Sequence, residues 1–194
     1  MRLWTIQDYT VWEALCSKGE LLVDIELSED YPNWSYAYDW LRKQMAQRMK
    51  EYDGNYPWWA WVSPKPDLRR FRHSYPVGVR SVRLELEIEA EYVLSSYFSV
   101  WEMVLGFGYI AKDKEDADRW DTQTIAQGID GISGILPQPW QSLLEASWER
   151  IFDRDALIKG EIWSTDWVQG CFERLRLSDV VRMDEFTMTG QARL

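Results

Sequence analysis

A chain of 194 residues suits one domain, and 46% hydrophobic with 28% charged residues is the balance of a globular protein rather than a disordered one. A formal net charge of −10 opposes general binding to nucleic acid, which rests on neutralising phosphates. A single His and two cysteines far apart, Cys16 and Cys171, exclude a His-rich metal site and a structural zinc site.

In chain order, the opening MRLWTIQ alternates as a strand, with Arg2, Trp4 and Ile6 on one face and Leu3, Thr5 and Gln7 on the other. Trp4 and Ile6 are the simplest candidates for the buried face. A helix follows, capped by Asp8 or Thr10, with Val11, Trp12, Leu15 and Cys16 as its apolar face and Gly19 at its end. A second helix spans roughly 34–50, where Ala37, Trp40, Leu41, Met45 and Met49 recur at helical spacing. EYDGNYP is a turn, and PWWAWV is an aromatic strand with Trp59 and Trp61 on one face and Trp58 on the other.

Residues 63–78 form a Pro-punctuated loop. The clearest strand comes next: Val82, Leu84, Leu86 and Ile88 alternate with Arg83, Glu85, Glu87 and Glu89. YVLSS continues extended and FSVWEMVLG is helical. Residues 111–136 are polar and Gly-punctuated, and are expected to be a long loop. A helix over roughly 141–152 and two C-terminal strands, DWVQGCFERL and DVVRMDEFTM, complete the chain. This order predicts an α+β fold over residues 1–194 as a single domain, with mostly antiparallel strands in small sheets flanked by three to four helices. Most of the 13 Trp side chains are expected in the core, and one left over beside the basic loop could stack on a base or a nicotinamide-like ring.

The chain carries no GxxxxGK[ST] loop, no GxGxxG fingerprint and no GxSxG elbow. No apolar leader opens it, and its longest apolar stretch holds three Ser and a Glu. The expectation is a soluble, cytoplasmic protein of microbial or viral origin without a membrane span.

Positive charge concentrates between residues 65 and 83, in Lys65, Arg69, Arg70, Arg72, Arg80 and Arg83. That run is either a solvated loop paired with nearby acids or an anion site, because Arg suits bidentate phosphate contact. In VQGCFERL, Gln169, Cys171 and Glu173 share one strand face, which is either a wet sheet face or the lining of a polar cleft.

The segments LWTIQ, AYDWLRKQM, YPWWAW, KPDLR, VLSSYFSVWE, WERIFD and VQGCFERLRLSDVVRMDEFT, in that order, resemble a bacterial family, the domain of unknown function 3841. The family pattern carries carboxylates where this chain has Tyr97 and Ser99, and a His where it has Glu102. More distantly, the polar first strand, a helix ending in Gly and a late Gln-x-x-x-Glu strand resemble the ADP-ribosyltransferase superfamily. That resemblance implies NAD held between two small sheets. It implies Thr5 and Gln7 as first-strand cofactor contacts with Gln169 nearby, and Glu173 as the catalytic acid stabilising a positive sugar centre; the basic run adds Arg69 and Arg72 as candidate contacts to the cofactor's phosphates.

Two functional readings result. One is a binder of a phosphate-bearing, NAD-like nucleotide in an ADP-ribosyltransferase-like cleft. The other is a non-catalytic interaction protein, such as a phage-encoded inhibitor or a toxin-system component, that binds a host protein through its Trp-rich and acidic surface.

Overall fold

The computed structural model describes residues 1–27, 31–63, 77–130 and 134–188. The elements in order are β1 (Arg2–Asp8), α1 (Tyr9–Lys18), β2 (Glu20–Leu21), α2 (Tyr31–Arg48), β3 (Trp58–Trp61), β4 (Arg80–Glu87) and β5 (Leu94–Tyr97). Next come α3 (Phe98–Leu105), α4 (Lys114–Ala126), α5 (Trp140–Trp148), α6 (Arg154–Gly160), β6 (Val168–Phe172), β7 (Leu175–Arg176) and β8 (Val180–Thr187). The fold is α+β. A six-stranded sheet has the order β5-β6-β3-β1-β4-β8, and β2 pairs with β7 in a small second sheet. The pairs of β1 with β3 and β4, of β3 with β6, of β4 with β8 and of β2 with β7 are antiparallel.

The chain divides into two compact units. The first comprises Met1–Tyr31, Trp40–Leu94 and Gln169–Leu194; the second comprises Pro32–Asp39 and Ser95–Val168.

In the first unit β1 is central and its inner face is Leu3 and Thr5, with Trp4 and Ile6 half-buried. This corrects the expected assignment of Trp4 and Ile6 to the buried face. Register explains it: Leu3 lies opposite Leu86 and Thr5 opposite Leu84, so β1 shares the fully buried face of β4. The predicted alternation of β4 is observed, with Val82, Leu84 and Leu86 fully buried and Ile88 nearly so. This face forms one hydrophobic cluster with Leu15 of α1, Phe172 and Leu175, and Tyr9, Val11 and Trp12 pack against it. The α1 ends behave as read from the sequence. The Asp8 carboxylate accepts the Thr10 N–H at 2.9 Å, and Gly19 takes a left-handed φ of 77° while donating to the Leu15 carbonyl at 2.8 Å.

In the second unit α4 occupies much of the stretch expected to be a loop. Its sequence, KEDADRWDTQTIA, has no wide apolar stripe, which is why hydrophobic periodicity missed it. Its support is electrostatic. Asp113 caps the helix by accepting the Asp116 N–H at 2.8 Å, and Arg119 pairs with Glu115 at 3.1 Å one turn back. The short α6 is likewise capped, Asp153 accepting the Ala156 N–H at 3.0 Å. Six α-helices, rather than three to four, are therefore present among the described residues.

Candidate functional site

A groove of about 230 Å³ opens in the first unit. Its floor is apolar, with Met49, Ile88 and Phe172, and its walls carry Tyr52, Tyr92, Lys50, Glu51, Glu89, Glu173, Arg174 and Arg176.

One wall is built around the turn EYDGNYP, which is held from both sides. The Arg42 guanidinium, from α2, donates to the Gly54 carbonyl through Nε at 2.9 Å and lies 4.5 Å over the Tyr56 ring. Gly54 sits at a φ of 94°, a conformation that costs a glycine little. From the other side Glu173, just beyond β6, turns its carboxylate onto the turn's N–H groups. Oε1 accepts the Asp53 N–H at 3.0 Å, the Asn55 N–H at 2.9 Å and the Asn55 amide Nδ2 at 2.9 Å. The Glu173 side chain is buried; its Oε2 also accepts the Asp53 N–H at 3.2 Å and lies 3.5 Å from Arg174 Nε.

The second wall comes from the run Glu173-Arg174-Leu175-Arg176, where alternation buries Leu175 and points both arginines away from the core. Arg174 donates to Glu20 Oε1 at 2.5 Å and also bonds Asp53. Arg176 donates through Nε to Glu20 Oε2 at 2.8 Å. Glu20 thus bridges two guanidiniums. Partial burial works against its charge, but Arg174 and Arg176 hold its carboxyl below the usual glutamate range. Lys50 pairs with Glu91 at 2.5 Å, and its ammonium lies 5.5 Å from the Tyr92 ring centre.

Of the six residues singled out in the sequence, Glu173 lines this groove, and Thr5, Gln7 and Gln169 do not. Thr5 is buried against the cluster under α1, and its hydroxyl accepts a bond from Gln7 Nε2 at 2.8 Å. Gln169 is buried in the row Trp4–Trp61–Gln169 across β1, β3 and β6. Strand alternation puts that row on the face opposite Thr5. Thr5 and Gln7 therefore meet each other, and Gln169 does not join them. Arg69 and Arg72, with Lys65, Arg70 and His73, lie outside the described residues. Arg80 and Arg83 from the same basic run pair with β8 carboxylates, Arg80 with Glu185 at 2.5 Å and Arg83 with Asp184 at 2.8 Å. Cys171 is buried, which pushes its thiol up to about 12 and keeps it unreactive. Among the described residues no cluster of three or more His, Cys, Asp or Glu could hold a metal ion, and no helix is long and apolar enough to cross a membrane.

Sequence reading did not single out Arg174, Arg176, Tyr52 or Tyr92. The available signal was the strand-spaced pair Arg174 and Arg176 flanking an apolar Leu175, directly after the Glu already noted.

The model of the family described as domain of unknown function (DUF3841) matches residues 2–172 of the chain. The chain belongs to that family. No curated protein and no solved structure matches it. The match to the domain of unknown function 3841 family takes in the turn and the groove floor through Phe172. Glu173, Arg174 and Arg176 follow immediately after it.

Proposed function

We propose that the protein binds a phosphate-bearing nucleotide, of the NAD or ADP-ribose class, in the groove of the first unit. The observation that carries this reading is the meeting of Arg174 and Arg176 with two tyrosines above an apolar floor. Two guanidiniums suit the oxygens of a phosphate, because their donors form a planar fork. Tyr52 and Tyr92 offer rings on which a base can stack. Glu51 and Glu89 offer acceptors for ribose hydroxyls. The volume of about 230 Å³ lies below the ~300–1,000 Å³ common for whole ligands, so the groove takes one nucleoside phosphate moiety and leaves the rest of a dinucleotide outside.

The reading is binding first and chemistry second. A transferase would use Glu173 as a charge facing the sugar. The hydrogen bonds from Asp53 and Asn55 instead support an anchoring role for that carboxylate. Incubation with nicotinamide-labelled NAD separates the two. Saturable binding without nicotinamide release is the expected result. Release that is abolished in Glu173→Gln would make the protein a transferase or hydrolase. Absence of binding, together with a single stoichiometric host protein captured independently of nucleotide, would favour the interaction-protein reading.

A further inference from the structure

The second unit holds a separate groove of about 220 Å³, lined by Met103, Tyr109, Ala111, Ala117, Trp120, Asp121, Ile162 and Trp163. We infer that it is a binding site for a small organic cation with a flat or compact apolar body, such as an alkylated ammonium or a protonated arylalkylamine.

Its walls are fixed before any ligand arrives. The Trp163 indole donates to the Ala111 carbonyl at 2.8 Å, which locks its ring. Trp120 stacks on Tyr109 with ring centres 4.1 Å apart and planes 6° from parallel. The Tyr109 hydroxyl in turn donates to Asp116 at 3.2 Å, and Arg119 and Arg150 grip that carboxylate at 3.0 and 2.8 Å. The aromatic wall is therefore tied to a charged network behind it. A preorganised apolar site loses little entropy on binding.

The charge of the lining decides the class of ligand. Among the described residues, Asp121 is the one carboxylate that lines it, and no basic residue does. Asp121 is exposed and makes no ion pair among the described residues, while the neighbouring Arg119 is committed to Glu115 and Asp116. An anionic ligand would meet an uncompensated like charge, and a neutral one would leave the carboxylate unused. A cation pairs with Asp121, and its apolar body packs on Trp120, Trp163, Ile162 and Met103. Aromatic surroundings are good company for organic cations, whose charge is spread and weakly hydrated.

The test uses the full chain and three probes that share a benzyl group and differ in charge: benzyltrimethylammonium, benzyl alcohol and phenylacetate. Binding is followed on the indole N–H resonances of Trp120 and Trp163. Benzyltrimethylammonium is expected to saturate the site, benzyl alcohol to bind more weakly and phenylacetate weakest. Asp121→Asn changes an exposed residue and leaves the fold intact. It should weaken the cation about fivefold, the size of one water-screened charge pair, and leave benzyl alcohol unchanged. Ala117→Leu, which fills the groove, should weaken cation and alcohol together. Failure of the cation to saturate, equal affinity for the cation and phenylacetate, or an unchanged cation affinity in Asp121→Asn would each overturn the inference.

Discussion

Removing the Glu173 carboxylate should unfasten the turn that forms one wall of the first groove. Its Oε1 takes three donors at 2.9–3.0 Å, two of them backbone N–H groups of the turn. Hydrogen bonds to a charged acceptor contribute about 1.5–3 kcal/mol each, so a plain sum over three is about 4.5–9 kcal/mol. That sum is too large for two reasons. Asp53 is exposed, so water replaces part of the loss at its N–H, and bonds sharing one acceptor are not additive. The expected cost of Glu173→Ala is therefore about 3–4 kcal/mol, in the range found when one partner of a buried charged pair is removed. For a chain of this size that lowers the melting temperature by on the order of 10 °C. Glu173→Gln keeps an oxygen at the Oε1 position and should cost about 1–2 kcal/mol. Urea unfolding followed by Trp fluorescence measures both. The anchoring role is refuted if Glu173→Ala stays within about 0.5 kcal/mol of the wild type, a change typical of an unremarkable surface site. It is equally refuted if Gln is as damaging as Ala, since the geometry gives the retained oxygen most of the bonds.

Three further outcomes follow from the same geometry. Asp116 is buried, which disfavours its charge, but the Lys112 N–H, Arg119, Arg150 and Tyr109 bring its pKa down to about 2. A depressed folded-state value stabilises above the unfolded value near 3.8 and is lost as pH falls toward 2; about 2 kcal/mol should disappear across that window and not in Asp116→Asn, as urea midpoints against pH would show. A Cβ at Gly160 would stand 1.8 Å from the Lys112 carbonyl oxygen, a backbone atom that cannot swing aside, so Gly160→Ala should cost at least about 3 kcal/mol in the same unfolding assay. Glu20 competes with any anion for Arg174 and Arg176, so Glu20→Gln should tighten ADP-ribose binding several-fold by calorimetry, and weaker binding would show that Glu20 instead holds the two arginines in place.

Much of the fold was legible because its signals are local. The Asp8 cap, the Gly19 stop and the period-two burial of β4 each need only a few adjacent residues and appear where the sequence puts them. β1 was misread because two faces of comparable hydrophobicity leave alternation undecided; the register with Leu84 and Leu86 settles it, which is a non-local fact. The Trp residues were expected mainly in the core. Trp40, Trp101 and Trp148 are buried and the other ten are half-buried, as befits side chains too large to be enclosed completely. The α4 helix is polar throughout, so only its Asp113 cap and acidic first turn announced it. The site was harder. Glu173 stood out as a late carboxylate, yet its partners Asp53 and Asn55 are more than a hundred positions away in the chain. Nothing in a one-dimensional reading links them, nor Glu20 to Arg174 and Arg176.

The most direct test of the proposed nucleotide site is isothermal titration of ADP-ribose into the wild type and into Arg176→Gln, whose partly exposed side chain can change without cost to the core. One saturable site, weakened about tenfold or more by the loss of one of two guanidiniums, is the predicted result. No saturation, or the same affinity in both proteins, would contradict it.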